Sequence, residues 1–210
     1  MKFPKPKVAI SKCIEFDSCR WNGNIIKSPI VKVLNSHLNF QPICPEVEIK
    51  LGIPRNPVRV VLEDEDIVMI QPSTKINYTD KMNNFSNNFL NSLTEIDGFL
   101  LKAQSPSCGL FHTKHYQSIS KRAAVLERGP GIFGKKVLNE FPNKAIKTEK
   151  RLTNFRIREH WLIKLYTLAR FRAVKFSNSI TELINFHATN KFLFMAYNQS
   201  LMREMGRLIG

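Results

Sequence analysis

No segment of this chain approaches the run of about 20 apolar residues that a membrane-spanning helix requires. The opening stretch, Met1-Lys2-Phe3-Pro4-Lys5-Pro6-Lys7, is basic and has no apolar core of signal-peptide length before the first strand. A cytoplasmic protein without membrane contact is the expectation. Cysteine is scarce: there are four in 210 residues, and none forms the compact paired spacing of a zinc finger. In a reducing compartment these are expected to be thiols or metal ligands, not disulfides. There is no internal repeat and no low-complexity tract, so repeat arrays and disordered linkers are not expected. Acidic residues are also short, with 17 Asp and Glu against 32 Lys and Arg, a net charge of +15.

The acidic shortage is local. From Met1 to Ser118 there are 14 Lys and Arg against 11 Asp and Glu; from Ile119 to Gly210 there are 18 against 6. A near-neutral front and a strongly basic back predict chemistry in the front and a polyanion held by the back. A helical surface kept soluble by Lys and Arg is the competing reading. With 43% apolar residues the chain can bury a core, and its length suits one medium domain plus part of a second.

What is present is a pattern of thiols placed after short apolar runs. Cys13 follows Lys7-Val8-Ala9-Ile10-Ser11, Cys44 closes Phe40-Gln41-Pro42-Ile43, and Cys108 closes the stretch Gly98 to Ser107. Runs of this kind read as buried strands. In an open α/β sheet, functional groups gather in the crevice at the carboxyl ends of the strands. Three thiols on three such ends can meet, and three thiolates together suit a soft metal or an iron–sulfur cluster. Three unrelated buried cysteines are the alternative. Cys19, six residues after Cys13, is a fourth ligand, a resolving thiol or a packed residue, and the sequence leaves all three open. Glu46 and Ser107 stand beside Cys44 and Cys108, so converging thiols bring a carboxylate and a hydroxyl to the same place.

Along the chain, strands are expected at 7–11, 38–43, 58–62, 67–70 and 98–103. The third and fourth are joined by the acidic turn Glu63-Asp64-Glu65-Asp66. A short helix opens at Ile30 and ends near His37, and Cys44-Pro45-Glu46 enters a loop. Residues 78–93 carry Met82, Phe85, Phe89, Leu90 and Leu93 at helical spacing, with Thr79 a candidate cap. After Ser118 the strand pattern stops. Helical stubs are expected at 121–127 and 134–141, then a basic helix from Arg151 onward. Ser177-Asn178-Ser179 reads as a linker, and Ser179-Ile180-Thr181-Glu182 as a capping box opening a helix through 209. The fold class is α/β, a mostly parallel sheet flanked by helices. A basic helical C-terminal segment follows the sheet; the domains are 1–176 and 177–210, the latter reading as a truncated all-α domain.

Four blocks carry a resemblance. Ser11-Lys12-Cys13, Cys19-Arg20-Trp21-Asn22-Gly23, Cys44-Pro45-Glu46-Val47-Glu48-Ile49-Lys50-Leu51-Gly52-Ile53-Pro54-Arg55, and Asp97 through Gly109 resemble the thiouracil desulfurase family. Residues 183–199 resemble the opening of a helical domain often fused behind it in tRNA 4-thiouridine desulfidases. The resemblance implies a 4Fe–4S cluster on Cys13, Cys44 and Cys108, a catalytic carboxylate at Glu46 and an active-site serine at Ser107. Arg20, Trp21, Arg55 and Ser105 are candidates for contacting substrate or nucleic acid. Cys13 is followed by Ile14-Glu15-Phe16 where the family usually has Leu-Gly, and Trp21 stands where Tyr is common. Glu15 and Phe16 adopt glycine conformations only at a cost, so the loop is expected to be reshaped.

The implied reaction is non-redox desulfuration of thiolated uracil, chiefly 4-thiouridine in tRNA to uridine, with the sulfur taken by the open iron of the cluster and Glu46 activating water. Desulfuration of the free base or nucleotide is one alternative. An RNA-binding or redox protein with a structural cluster on all four cysteines is another. His187 is expected to pack, since no partner ligand lies at a suitable spacing.

Overall fold

A computed structural model of the chain describes residues 3–63 and 66–210. The elements run β1 (Lys7–Ser11), α1 (Pro29–Leu34), β2 (Asn39–Ile43), α2 (Pro45–Glu48), β3 (Arg59–Glu63), β4 (Asp66–Gln71) and β5 (Ile76–Asn77). There follow α3 (Thr79–Ser92), β6 (Gly98–Leu101), β7 (Thr113–Tyr116), β8 (Val125–Gly129), α4 (Ile132–Glu140) and β9 (Ala145–Thr148). A 3-10 turn at Arg151–Thr153 leads to α5 (Phe155–Ser177), α6 (Ile180–Tyr197) and α7 (Gln199–Ile209).

The central sheet is parallel, in the order β2-β1-β6-β9. Its strands are covered on both faces, so alternate residues face different helices. Val8, Ile10 and Leu100 pack with Val31 and Leu34 of α1 and with Trp161 and Leu165 of α5. Ala9, Phe99 and Leu101 pack with Met82 and Leu90 of α3 and with Phe133 and Val137 of α4. Trp161 pins α5 to the edge strand through an indole N–H donated to the Ala145 carbonyl at 2.8 Å. Arg172 holds the far end of α5 by donating to the buried Asp97 carboxylate at 3.0 Å.

A second, mixed sheet, β5-β4-β3-β7-β8, lies beside the first. Its β8 replaces the helical stub expected at 121–127, and β9 is a second strand beyond Ser118, where none was expected. The reason is burial. Val125 and Leu126 of β8 are exposed, so an edge strand without alternation left no pattern of period two to read. Asp64 and Glu65 of the expected acidic turn lie outside the described residues; Glu63 and Asp66 pair across β3 and β4.

Other boundaries shift. Cys44 caps a short helix with Pro45 at its first position, so the expected loop there is α2. Strand β6 ends at Leu101, two residues early, because the backbone leaves the ladder before Gln104, which has φ of 60°. Thr79 does not cap α3; its hydroxyl accepts the Met69 N–H at 2.9 Å. Asn178, in the left-handed region at φ 51°, ends α5, and Ser179 Oγ accepts the Glu182 N–H at 3.3 Å. The helix expected through 209 is two helices, because Asn198 leaves helical geometry and its side chain caps α7 at Leu201 N, 2.9 Å away. His187 Nε2 meets the Met202 carbonyl at 3.0 Å and links α6 to α7.

Candidate active site

Parallel pairing of β1 with β2 and β6 puts three strand ends side by side. Cys13 lies two residues past β1 and Cys44 one residue past β2. Lys12 N donates to the Ile43 carbonyl at 2.8 Å, which holds the two exits together. Cys108 lies seven residues past β6, further than the strand-end reading implied. A folded turn brings it back. Ser105 Oγ accepts the N–H groups of Ser107 (3.2 Å) and Cys108 (3.1 Å), and the Ser105 carbonyl accepts from Gly109 N and Thr113 Oγ1, both at 2.9 Å. Ser11 Oγ accepts the Lys102 N–H at 2.9 Å and ties β1 to the start of this turn.

The N-terminus of α4 supports the turn from below. Gly131 N donates to the Gly109 carbonyl at 2.8 Å, and Gly134 N donates to the Ser107 carbonyl at 2.9 Å. His115 fixes the entry to α4, with Nδ1 2.8 Å from Glu127 Oε1 and Nε2 2.9 Å from the Pro130 carbonyl. None of these supports was legible in the sequence, because the partners lie 12 to 27 residues apart in loops, a helix start and an unforeseen strand pair, with no periodicity to link them.

The four cysteines are buried free thiols, and all four line one cavity of about 730 Å³ together with Glu46, Arg55, Arg20, Trp21 and Ser105. Ser107 is fully buried beside it and donates its hydroxyl to Glu46 Oε1 at 2.8 Å. Arg55 donates from Nε (2.9 Å) and Nη2 (2.7 Å) to Glu46 Oε2. Trp21 is half exposed, and its carbonyl accepts the Arg55 N–H at 2.8 Å. The structure thus brings together every site residue expected from the sequence. What the sequence did not reveal is that Arg55 faces Glu46; the two lie nine residues apart across a loop with no periodicity.

The loop after Cys13 takes the form its sequence disfavours. Glu15 adopts φ of 67°, a conformation that costs a non-glycine residue about 1–2 kcal/mol. Its carboxylate accepts the Ser28 N–H and its own N–H donates to the Ile26 carbonyl at 3.0 Å, so two hydrogen bonds hold it there.

Hydrogen bonding with Cys13 pushes the Cys19 thiol up to about 11. Cys44 lies well above the ordinary thiol range, first through its contact with Cys19 and then through burial; Cys108 is raised chiefly by burial. At neutral pH these are protonated thiols. Among the described residues no three His, Cys, Asp or Glu side chains converge to seat a single metal ion. The thiols ring a cavity instead, and the donor set around it is soft.

A parallel sheet with thiols gathered past three adjacent strand ends, and a carboxylate held between a serine and an arginine beside them, defines an α/β protein with a soft-donor pocket at its sheet edge. The chain belongs to the 2-thiouracil desulfurase family, whose model matches residues 8–149. Helices α5 to α7 lie beyond that match. A solved structure described as the 4Fe-4S-dependent thiouracil desulfidase TudS superposes with a TM-score of 0.54 at 21% identity, covering 74% of this chain and 99% of that one. At that identity the likeness speaks for the fold. No curated protein matches the chain.

Proposed function

We propose that this protein removes sulfur from thiolated uracil without redox change, replacing the thiocarbonyl by a carbonyl and releasing hydrogen sulfide, and that 4-thiouridine in tRNA is its substrate. The observation that carries the reading is the single cavity shared by Cys13, Cys44, Cys108 and Glu46. Support for thiouracil chemistry comes from the family to which the chain belongs and from the named activity of the TudS protein.

The donor set fits a 4Fe–4S cluster. Cys13, Cys44 and Cys108 are soft, buried and line one cavity, as the thiolates of a cluster need. Cys19 is the thiol left over in this reading. A cluster held by three thiolates supplies an open iron, a soft Lewis acid toward the substrate sulfur. The remaining work falls to the chain. Glu46 Oε1 accepts a proton from the water that attacks the thiocarbonyl carbon and returns it to the departing sulfur. Ser107, hydrogen-bonded to that same oxygen, orients the water or the base. Trp21, Arg20 and Ser105 line the cavity where the base enters. A base within folded RNA must leave its stack to reach them.

The helices of residues 177–210 help to grip the RNA in this reading, and the basic back half supplies the phosphate contacts. Free thiouracil is the second reading, favoured by the substrate in the family's name. The test is sulfide release by anaerobically reconstituted protein from 4-thiouridine in tRNA and from free 2-thiouracil, each at low and high salt. Salt-sensitive turnover of tRNA supports the first reading. Salt-indifferent turnover of the free base, with none on tRNA, replaces it by the second.

A further inference from the structure

Resting on the desulfuration reading, we propose that Arg55 is a positioning residue that acts through Glu46 and does not touch the substrate. Its side chain is 4% exposed. Of the five N–H groups of a guanidinium, four have partners inside the protein. Nε and Nη2 donate to Glu46 Oε2, and Nη1 donates to the carbonyls of Cys19 (3.1 Å) and Gly52 (2.9 Å). One N–H remains, too few for the forked recognition of a phosphate.

The pairing is also asymmetric. Guanidinium groups commonly fork across both oxygens of a carboxylate. Here both donors fall on Oε2, and Oε1 is left to Ser107. Proton transfer at Glu46 is therefore confined to the oxygen on the Ser107 side. The same planar group holds the Cys19 carbonyl, so the loop after Cys13 and the orientation of Glu46 are set together. A lysine ammonium carries the charge but not the fixed directions.

The test combines Glu46→Gln and Arg55→Lys in the anaerobically reconstituted enzyme, with 4-thiouridine in tRNA and 2-thiouracil as substrates and kinetics read on the one the wild type turns over. Arg55→Lys is expected to lower kcat about 10²-fold, with KM within about twofold and iron and sulfide contents at the wild-type level. In the Glu46→Gln background the same change is expected to cost less than about twofold more, because both act on one oxygen. A crystal structure of Arg55→Lys is expected to show Glu46 turned away from Ser107. In Arg55→Gln, added methylguanidinium is expected to restore kcat. A raised KM with kcat retained, additive losses in the double variant, or Glu46 still seated on Ser107 would overturn the proposal. So would loss of iron in every Arg55 variant to the level of Cys13→Ser, which assigns the residue to building the ligand loop. Wild-type enzyme that releases no sulfide from either 4-thiouridine in tRNA or 2-thiouracil sinks the desulfuration reading itself, while the orientation of Glu46 in the crystal still tests Arg55.

Discussion

Glu46 holds two partners on two different oxygens, and the chemistry proposed here depends on that division. Replacing it by Gln keeps the shape and the hydrogen bond to Ser107 but removes the base. Turnover should fall by about 10²–10⁴-fold, with iron and sulfide contents unchanged; unchanged turnover removes Glu46 from the mechanism. Cys19 separates an open site from a closed one. Cys19→Ser should retain iron, while Cys13→Ser should lose it. The thiols also set a pH dependence. A group whose pKa is raised by folding stabilises the folded state below its unfolded value and loses that contribution as pH rises through the folded value. Cys19, Cys44 and Cys108 are all raised, Cys19 to about 11. The cluster-free protein should therefore lose thermal stability as pH rises from the ordinary thiol value of about 8.5 toward 11. The cluster-loaded protein, with ligand thiols already deprotonated, should lose much less over that window. Thermal melts of both forms check this.

At the scale of elements, the informative piece is α4, whose first turn props up the Ser107–Cys108 turn. Gly134 sits there because the helix runs against backbone: an added Cβ would lie 2.1 Å from the Gly109 carbonyl and 3.1 Å from that of Cys108. Helix propensity alone favours Gly134→Ala by about 1 kcal/mol. Overlap with a backbone that cannot move freely should outweigh it, costing roughly 1–3 kcal/mol and lowering Tm by at least about 3 °C. A rise in Tm on calorimetry would show that propensity wins and that the turn yields. The elements also show what could be read from sequence. β1, β2 and α3 were legible, since buried strands and an amphipathic helix write their burial into the order of residues. β8 was not, because its apolar side chains point to solvent. The thiol positions were legible from the strands they follow. That Glu46 and Ser107, 61 residues apart, share one place followed from the thiols beside them, while their catalytic roles came through the family resemblance and the Glu46–Arg55 contact through nothing in the sequence.

On the scale of the whole molecule, the positive charge spans the later sheet elements and the helices behind them, with eight Lys and Arg against three Glu over 119–150 and ten against three over 151–210. The parallel sheet presents its thiols at one edge, while α5 to α7 carry exposed Arg156, Lys175, Lys191, Arg203 and Arg207. Helices α6 and α7 reach the body through α5, with Phe171 and Phe186 ring centroids 5.6 Å apart and the Tyr197 hydroxyl 3.2 Å from His160 Nε2. If this surface takes up four or five phosphates, log affinity for tRNA should fall against log salt with a slope of roughly −3 to −4. A slope near zero in a filter-binding titration would leave the positive charge without a role in RNA binding. The measurement that bears most directly on the central claim is sulfide released per iron–sulfur cluster by the reconstituted wild-type, Glu46→Gln and Cys13→Ser proteins on thiolated uracil. Catalytic release by the wild type, cluster without release in Glu46→Gln, and neither in Cys13→Ser is the predicted outcome. Full cluster content in Cys13→Ser, or undiminished release by Glu46→Gln, would contradict it.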